Sequence, residues 1–174
     1  GGKYHEEPVG NCKYSDISVF SFHPVKIITT GEGGIATTNN SQLADNMSKL
    51  SSHGIVKDES QFLYPAPGLW SYEQQQLGFN YRMNDFQAAL GKSQIARLES
   101  IVTERNSLLL GYQELLNNLP VKLLEIPEGV YSSVHLAVIR LINHNPLFHR
   151  SLFERLRLSG IGVQLHYSPV HLQA

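Results

Sequence analysis

Cysteine is almost missing from this chain. The single Cys12 excludes an internal disulfide framework and fits a reducing compartment. Long apolar runs are missing as well. No window approaches the roughly 18 uninterrupted apolar residues of a membrane span, and no signal-peptide pattern opens the sequence. Charge of one sign is also lacking, since 14 Lys and Arg face 15 Asp and Glu for a formal charge of −1. Without a basic stripe, nucleic acid is not an expected partner. The eight histidines are scattered, no His-Glu-x-x-His helix occurs and Cys12 has no second cysteine, so no metal site is expected. There is no internal repeat and no low-complexity tract. What remains is 174 residues, 41% of them apolar. That is enough for a real core in one domain, or one domain plus a piece of a second. A cytoplasmic protein of mixed structure, away from the membrane, is the expectation.

The chain opens on Gly1-Gly2-Lys3-Tyr4 and closes on Val170-His171-Leu172-Gln173-Ala174. Neither end has the polar, structureless composition of a natural terminus, which suggests a piece of something larger. The run Asp16 to Phe22 is rich in β-branched and aromatic residues and reads as a strand. Large apolar groups fall on both of its faces, as in a sheet covered on both sides. Two short extended runs, 27–30 and 35–38, flank Gly31-Glu32-Gly33-Gly34 and suggest a hairpin.

Ser41 opens a short helix ending near Ser52, with Leu43, Met47 and Leu50 at helical spacing. Residues 53–82 read as a long loop, of the kind that is either functional or disordered. From Asn84, with Gln87 as its capping-box partner, an apolar face continues through Leu98, Ile101, Val102, Leu109, Tyr112, Leu116 and Leu119. One helix over 84–118 would be about 50 Å long, more than the roughly 40 Å diameter of a compact protein of this size. Gly91 and Gly111 are the candidate kink points. Beyond Pro120, 135–141 reads as a strand. A helix opens at Asn145 and Pro146 and stops at Gly160, and 163–167 reads as a last strand. The domain boundary is expected near 120, dividing the chain into 1–119 and 120–174.

The densest chemistry lies between Ser21 and Gly34. A serine hydroxyl can donate to a phosphate oxygen, glycines admit backbone N–H groups to it, and a lysine amine can condense with an aldehyde. For Lys26 this requires partial desolvation, which Val19, Phe20, Phe22, Val25, Ile27 and Ile28 would supply. The bland alternative is a solvated lysine beside an ordinary turn.

Val19-Phe20-Ser21-Phe22-His23-Pro24-Val25-Lys26, followed by Thr29-Thr30-Gly31-Glu32-Gly33-Gly34, resembles the Schiff-base lysine segment of the DegT/DnrJ/EryC1/StrS sugar aminotransferases. Leu77-Gly78-Phe79-Asn80-Tyr81-Arg82-Met83-Asn84-Asp85 resembles a second hallmark of that family, and His166-Tyr167-Ser168-Pro169-Val170-His171 a third. The first and third look most like the pseudaminic-acid branch. The resemblance implies an α/β fold: the C-terminal part of the large domain of an aspartate-aminotransferase-like, fold type I enzyme, then the start of a small α+β domain. It implies pyridoxal 5'-phosphate as cofactor, with Lys26 its covalent anchor and proton shuttle and Ser21 a donor to its phosphate. Asn80 would reach the phosphate of a partner subunit in a homodimer, with Arg82 near substrate or phosphate and His166 and Tyr167 lining a nucleotide-sugar pocket. The substrate would be a UDP-linked 4-keto-6-deoxy sugar and the donor glutamate, in surface-polysaccharide or flagellar glycan biosynthesis.

His53 gains no role, because Ser51 stands where the family often has arginine. The resemblance also implies a cofactor-stacking ring and an aspartate for the pyridine nitrogen from residues that precede this segment, so these 174 residues alone are expected to be inactive. A related pyridoxal-dependent sugar dehydratase would carry histidine in place of Lys26. A non-catalytic, self-associating module is the alternative of a different kind.

Overall fold

A computed structural model describes residues 1–142 and 145–174. Its strands are β1 (Lys3–Tyr4), β2 (Glu7–Pro8), β3 (Ser18–Ser21), β4 (Gly34–Thr37), β5 (Ile55–Val56), β6 (Glu73–Gln74), β7 (Val121–Leu123), β8 (Val130–Tyr131) and β9 (Ile139–Leu141). Its α-helices are α1 (Ser41–Ser51), α2 (Asp85–Ile95), α3 (Leu98–Leu116) and α4 (Pro146–Leu158). Two compact units result. One comprises Gly1–Leu110 with Ile126–Leu136, and the other Gly111–Glu125 with Ala137–Ala174.

In the first unit the strands pair antiparallel as β2-β1-β8, β3-β4 and β5-β6. Val56, Val102, Leu109 and Val134 are buried, and so is the polar Thr30. On α3, Arg105 Nη1 donates to the carbonyls of Val134 and His135, and Asn106 Nδ2 donates to that of Ser132. These bonds tie the 132–135 segment to α3. They also hold Val134 in the left-handed region, at φ 50°, which a β-branched residue enters only at a cost.

In the second unit β7 pairs antiparallel with β9. Asn145 caps α4 by accepting from the Phe148 N–H at 2.8 Å. Gly160, at φ 79°, ends it, as a residue without a Cβ can.

Several expectations need correction. The hairpin over Gly31–Gly34 does not join 27–30 to 35–38. β4 pairs instead with β3, Ser18 opposite Thr37 and Ser21 opposite Gly34, and 27–30 belongs to a wide loop. The reason lies at Phe22, whose N–H donates to Gly33 and whose carbonyl accepts from the Thr30 N–H. The chain thus leaves and rejoins the ladder at one residue.

The helix from Asn84 is not continuous. It breaks at Ala96-Arg97, at neither glycine, with Ala96 and Arg97 N–H groups bonded back to Lys92 and Gln94. Tyr112 and Leu119 of the expected apolar face are exposed. The 53–82 stretch holds β5, β6 and a 3₁₀ turn at Glu59–Gln61. Strand 135–141 shrinks to β9, and 163–167 forms no strand, because the described residues offer it no ladder partner. The β3 face carrying Val19 is exposed rather than covered.

Candidate active site

The Lys26 loop is built outward from β3. Ser21 ends that strand, and its Oγ accepts the His23 N–H at 3.3 Å. The hydroxyl proton thereby remains able to donate elsewhere. Lys26 donates its N–H to the His23 carbonyl at 2.9 Å and is half-buried. Phe20, Phe22, Ile27 and Ile28 are half-buried around it in sequence, whereas Val19 and Val25 are exposed. The apolar surroundings expected of the lysine are therefore only partly supplied by its own neighbours.

Thr29 and Thr30 close the loop. Thr29 Oγ1 donates to the Phe22 carbonyl and accepts from the Gly31 N–H, while Thr30 Oγ1 donates to the Glu32 carbonyl. Gly31 sits at φ 82° with open space where a Cβ would stand, so it is glycine for conformation and not for crowding. Across the turn His23 Nε2 lies 3.9 Å from Glu32 Oε1, both side chains well exposed.

The Asn80 segment has a separate origin. The end of α1 binds it through three backbone bonds: Phe79 N–H to Leu50, Tyr81 N–H to Ser51, and His53 N–H to Phe79. Residues 79–81 are thus extended beside α1, with Asn80 bridged to Ser52. Phe79 and Tyr81 stack on one side with ring centroids 4.8 Å apart, and alternation turns Asn80 to the other. Asn80 Oδ1 accepts from Arg82 Nε at 3.0 Å. This fixes which amide atom points at the arginine and leaves the NH₂ group as a donor. His53 is explained by this junction: it holds φ 61° and accepts from Gln74 Nε2 on its carbonyl.

α2 joins the two segments. Met83, just beyond Arg82, closely approaches Gly33, where an added Cβ would meet its methyl at 2.9 Å. Gln87 Nε2 donates to the Glu32 carbonyl at 2.9 Å, and Gln94 Oε1 accepts the Thr29 N–H at 3.2 Å. Gln87 enters the sequence reading only as a cap, and Gln94 does not enter it at all. The available signal was their spacing of seven, which places both on one helical stripe with Gly91.

His166 and Tyr167 belong to the second unit, exposed, with ring centroids 4.9 Å apart. Among the described residues no group of three or more His, Cys, Asp or Glu could hold a metal ion.

The chemistry of the donor set fits pyridoxal phosphate. A half-buried primary amine can meet an aldehyde, while a hydroxyl proton, a free amide NH₂ and a guanidinium suit a phosphate.

Known proteins carry the same segment. The chain is 39% identical over 172 residues to the UDP-4-amino-4,6-dideoxy-N-acetyl-beta-L-altrosamine transaminase of Campylobacter jejuni, covering 98% of this chain and 43% of that one. Helicobacter pylori PseC, an aminotransferase involved in the biosynthesis of pseudoaminic acid, superposes with TM-score 0.85 and 32% identity, over 99% of this chain and 44% of PseC. The Spr1654 protein of Streptococcus pneumoniae in its PLP form superposes with TM-score 0.86 and 27% identity, over 99% of this chain and 43% of that one. The chain thus spans less than half the length of these relatives, and over that part it has the α/β fold of the fold type I aminotransferases. Because the family's sequence profile matches residues 1–174 without remainder, the chain belongs to the DegT/DnrJ/EryC1/StrS aminotransferase family.

Proposed function

We propose that the protein carrying this segment is a pyridoxal-phosphate-dependent aminotransferase acting on a UDP-linked 4-keto-6-deoxy sugar. The enzyme is cytoplasmic, glutamate is the amino donor, and the product serves surface-polysaccharide or flagellar sugar biosynthesis. The observation that carries the proposal is the half-buried Lys26 in a loop closed on Phe22, one turn beyond the Ser21 hydroxyl. The similarity to the Campylobacter transaminase and to PseC supports the sugar class.

The cofactor, when bound, supplies the electron sink that lets a substrate C–H bond ionise. Lys26 would hold the cofactor through its side-chain amine and, once displaced from it by the amino donor, would carry the proton between substrate and cofactor carbons. The Ser21 O–H donates to the phosphate. The Asn80 NH₂, aimed by Arg82, does the same across a homodimer interface, and Arg82 adds positive charge close by. His166 and Tyr167 line the nucleotide-sugar side. In the whole enzyme residues 1–119 belong to the large domain and 120–174 to the small one, and these 174 residues are inactive alone.

The product of the complete native reading frame, incubated with pyridoxal phosphate and reduced with borohydride, will gain the cofactor mass on Lys26. A label on any other lysine overturns the assignment. Lys26→Arg will abolish turnover, because a guanidinium stays protonated and cannot condense with the aldehyde; retained turnover counts against the mechanism. Histidine at this position would have favoured a dehydratase, and the residue is lysine.

A further inference from the structure

α2 presents an unusual pattern of cover. Its half-buried or buried residues are Gln87, Gly91 and Gln94, while Phe86, Leu90 and Ile95 are exposed. The covered stripe is therefore the polar and small one, and what covers it is the Lys26 loop. Three successive turns of helix each hold one point of that loop. Gln94 accepts the Thr29 N–H, Gly91 faces the buried Thr30, and Gln87 donates to the Glu32 carbonyl. At Gly91 a Cβ would stand 2.8 Å from Thr30 Cγ2, so only glycine admits the loop this closely.

Gln87 also closes the capping box, its Oε1 accepting the Asn84 N–H at 3.1 Å while Asn84 Oδ1 accepts the Gln87 N–H at 2.9 Å. One side chain thus ties the start of α2 to the glycine turn, and the residues immediately before that start are Asn80 to Met83. The contacts join residues 55 and 65 positions apart in sequence, so they are tertiary choices and not local turn chemistry.

We infer that Gln87 and Gln94 are positioning residues that seat the Lys26 loop on the Gly91 stripe of α2 and set it in register with the Asn80–Arg82 segment. This rests on the function proposed above and adds to it how the lysine is aimed. A glutamine suits the task because it offers N–H donors and a carbonyl acceptor on a single neutral group. At Gln87 both are used, one inside the helix cap and one on the loop. Neither side chain touches the reacting atoms; both act through the backbone that carries Lys26.

The experiment uses the product of the complete native reading frame. Gln87→Glu keeps the acceptor for the cap and adds negative charge at a helix N-terminus, but removes the donor to Glu32. It should fold and melt as the unmutated protein does. In the cofactor-free protein, amide exchange over residues 27–34 should accelerate about tenfold, the scale set by one lost hydrogen bond. Gln94→Leu should do the same, whereas Gln94→Glu, which keeps an acceptor for Thr29, should restore slow exchange.

With pyridoxal phosphate added, the two damaging variants should bind it about tenfold more weakly. The pH midpoint of the visible absorbance arising from Lys26 should also move, and Gln94→Glu should return it. Unchanged exchange and an unchanged absorbance titration in both Gln87→Glu and Gln94→Leu overturn the inference. If the unmutated protein shows no absorbance linked to Lys26, the function proposal falls instead, and the exchange measurements still decide whether the seat exists.

Discussion

The Glu73 carboxylate does more structural work than its exposure suggests. Oε2 accepts from the Leu63 N–H and from Gln75 Nε2, both at 2.8 Å, and Oε1 accepts from the Tyr64 N–H at 2.9 Å. These donors, the Gln75 amide foremost, favour the ionised form and hold its pKa below the ordinary value of 4.5. The lowered value means that the stabilisation is present above the unfolded pKa and disappears as pH falls through the folded one. The Leu63 and Tyr64 amide resonances should therefore titrate together with a midpoint below 4.5, and Glu73→Gln should remove the titration. A midpoint at or above the ordinary value would show that the carboxylate does not hold this loop. None of these three partners was legible in the sequence, since nothing local distinguishes Glu73 from any solvated glutamate. Lys26 and Ser21 were legible because strand, proline and glycine turn surround them in one continuous motif.

At the scale of elements, the junction between α1 and the Asn80 segment depends on close backbone approach. A Cβ at Gly78 would stand 2.4 Å from the Gly54 nitrogen and 2.7 Å from the His53 carbonyl carbon, and backbone atoms cannot swing aside as a side-chain tip can. Gly78→Ala should cost about 2 kcal/mol and loosen residues 79–81, measured as a lower melting temperature with faster exchange at Phe79 and Tyr81. Unchanged stability would mean that the strand-like segment is not pinned by this contact. The helices were the most legible elements, because their signals lie within one turn: Asn84 with Gln87, Asn145 with Pro146, Gly160 as a stop. The break after Ile95 was hidden, because both glycines, the residues most suggestive of a kink, lie inside continuous helix. Gly91 is there for Thr30.

Across the whole molecule, large apolar side chains stand on the surface of the described residues. Leu69, Trp70, Leu77 and Phe86 are each at least 79% exposed. The 174 residues expressed alone should therefore self-associate in sedimentation at micromolar concentration and bind a hydrophobic dye, whereas the product of the complete reading frame should do neither beyond a defined dimer. A monodisperse, dye-silent monomer of the isolated chain would contradict this. Residue order alone determined the helix starts and stops, the glycine turn and the three motifs that mark the family, because each is decided by chemistry within a few adjacent residues. Tertiary structure alone decided that β4 pairs with β3, that 163–167 stays out of a sheet, and that two glutamines and a glycine on α2 carry the lysine loop. The physical reason is distance along the chain: a strand, or a polar helix stripe, has no preferred partner until folding brings a remote backbone within hydrogen-bonding reach.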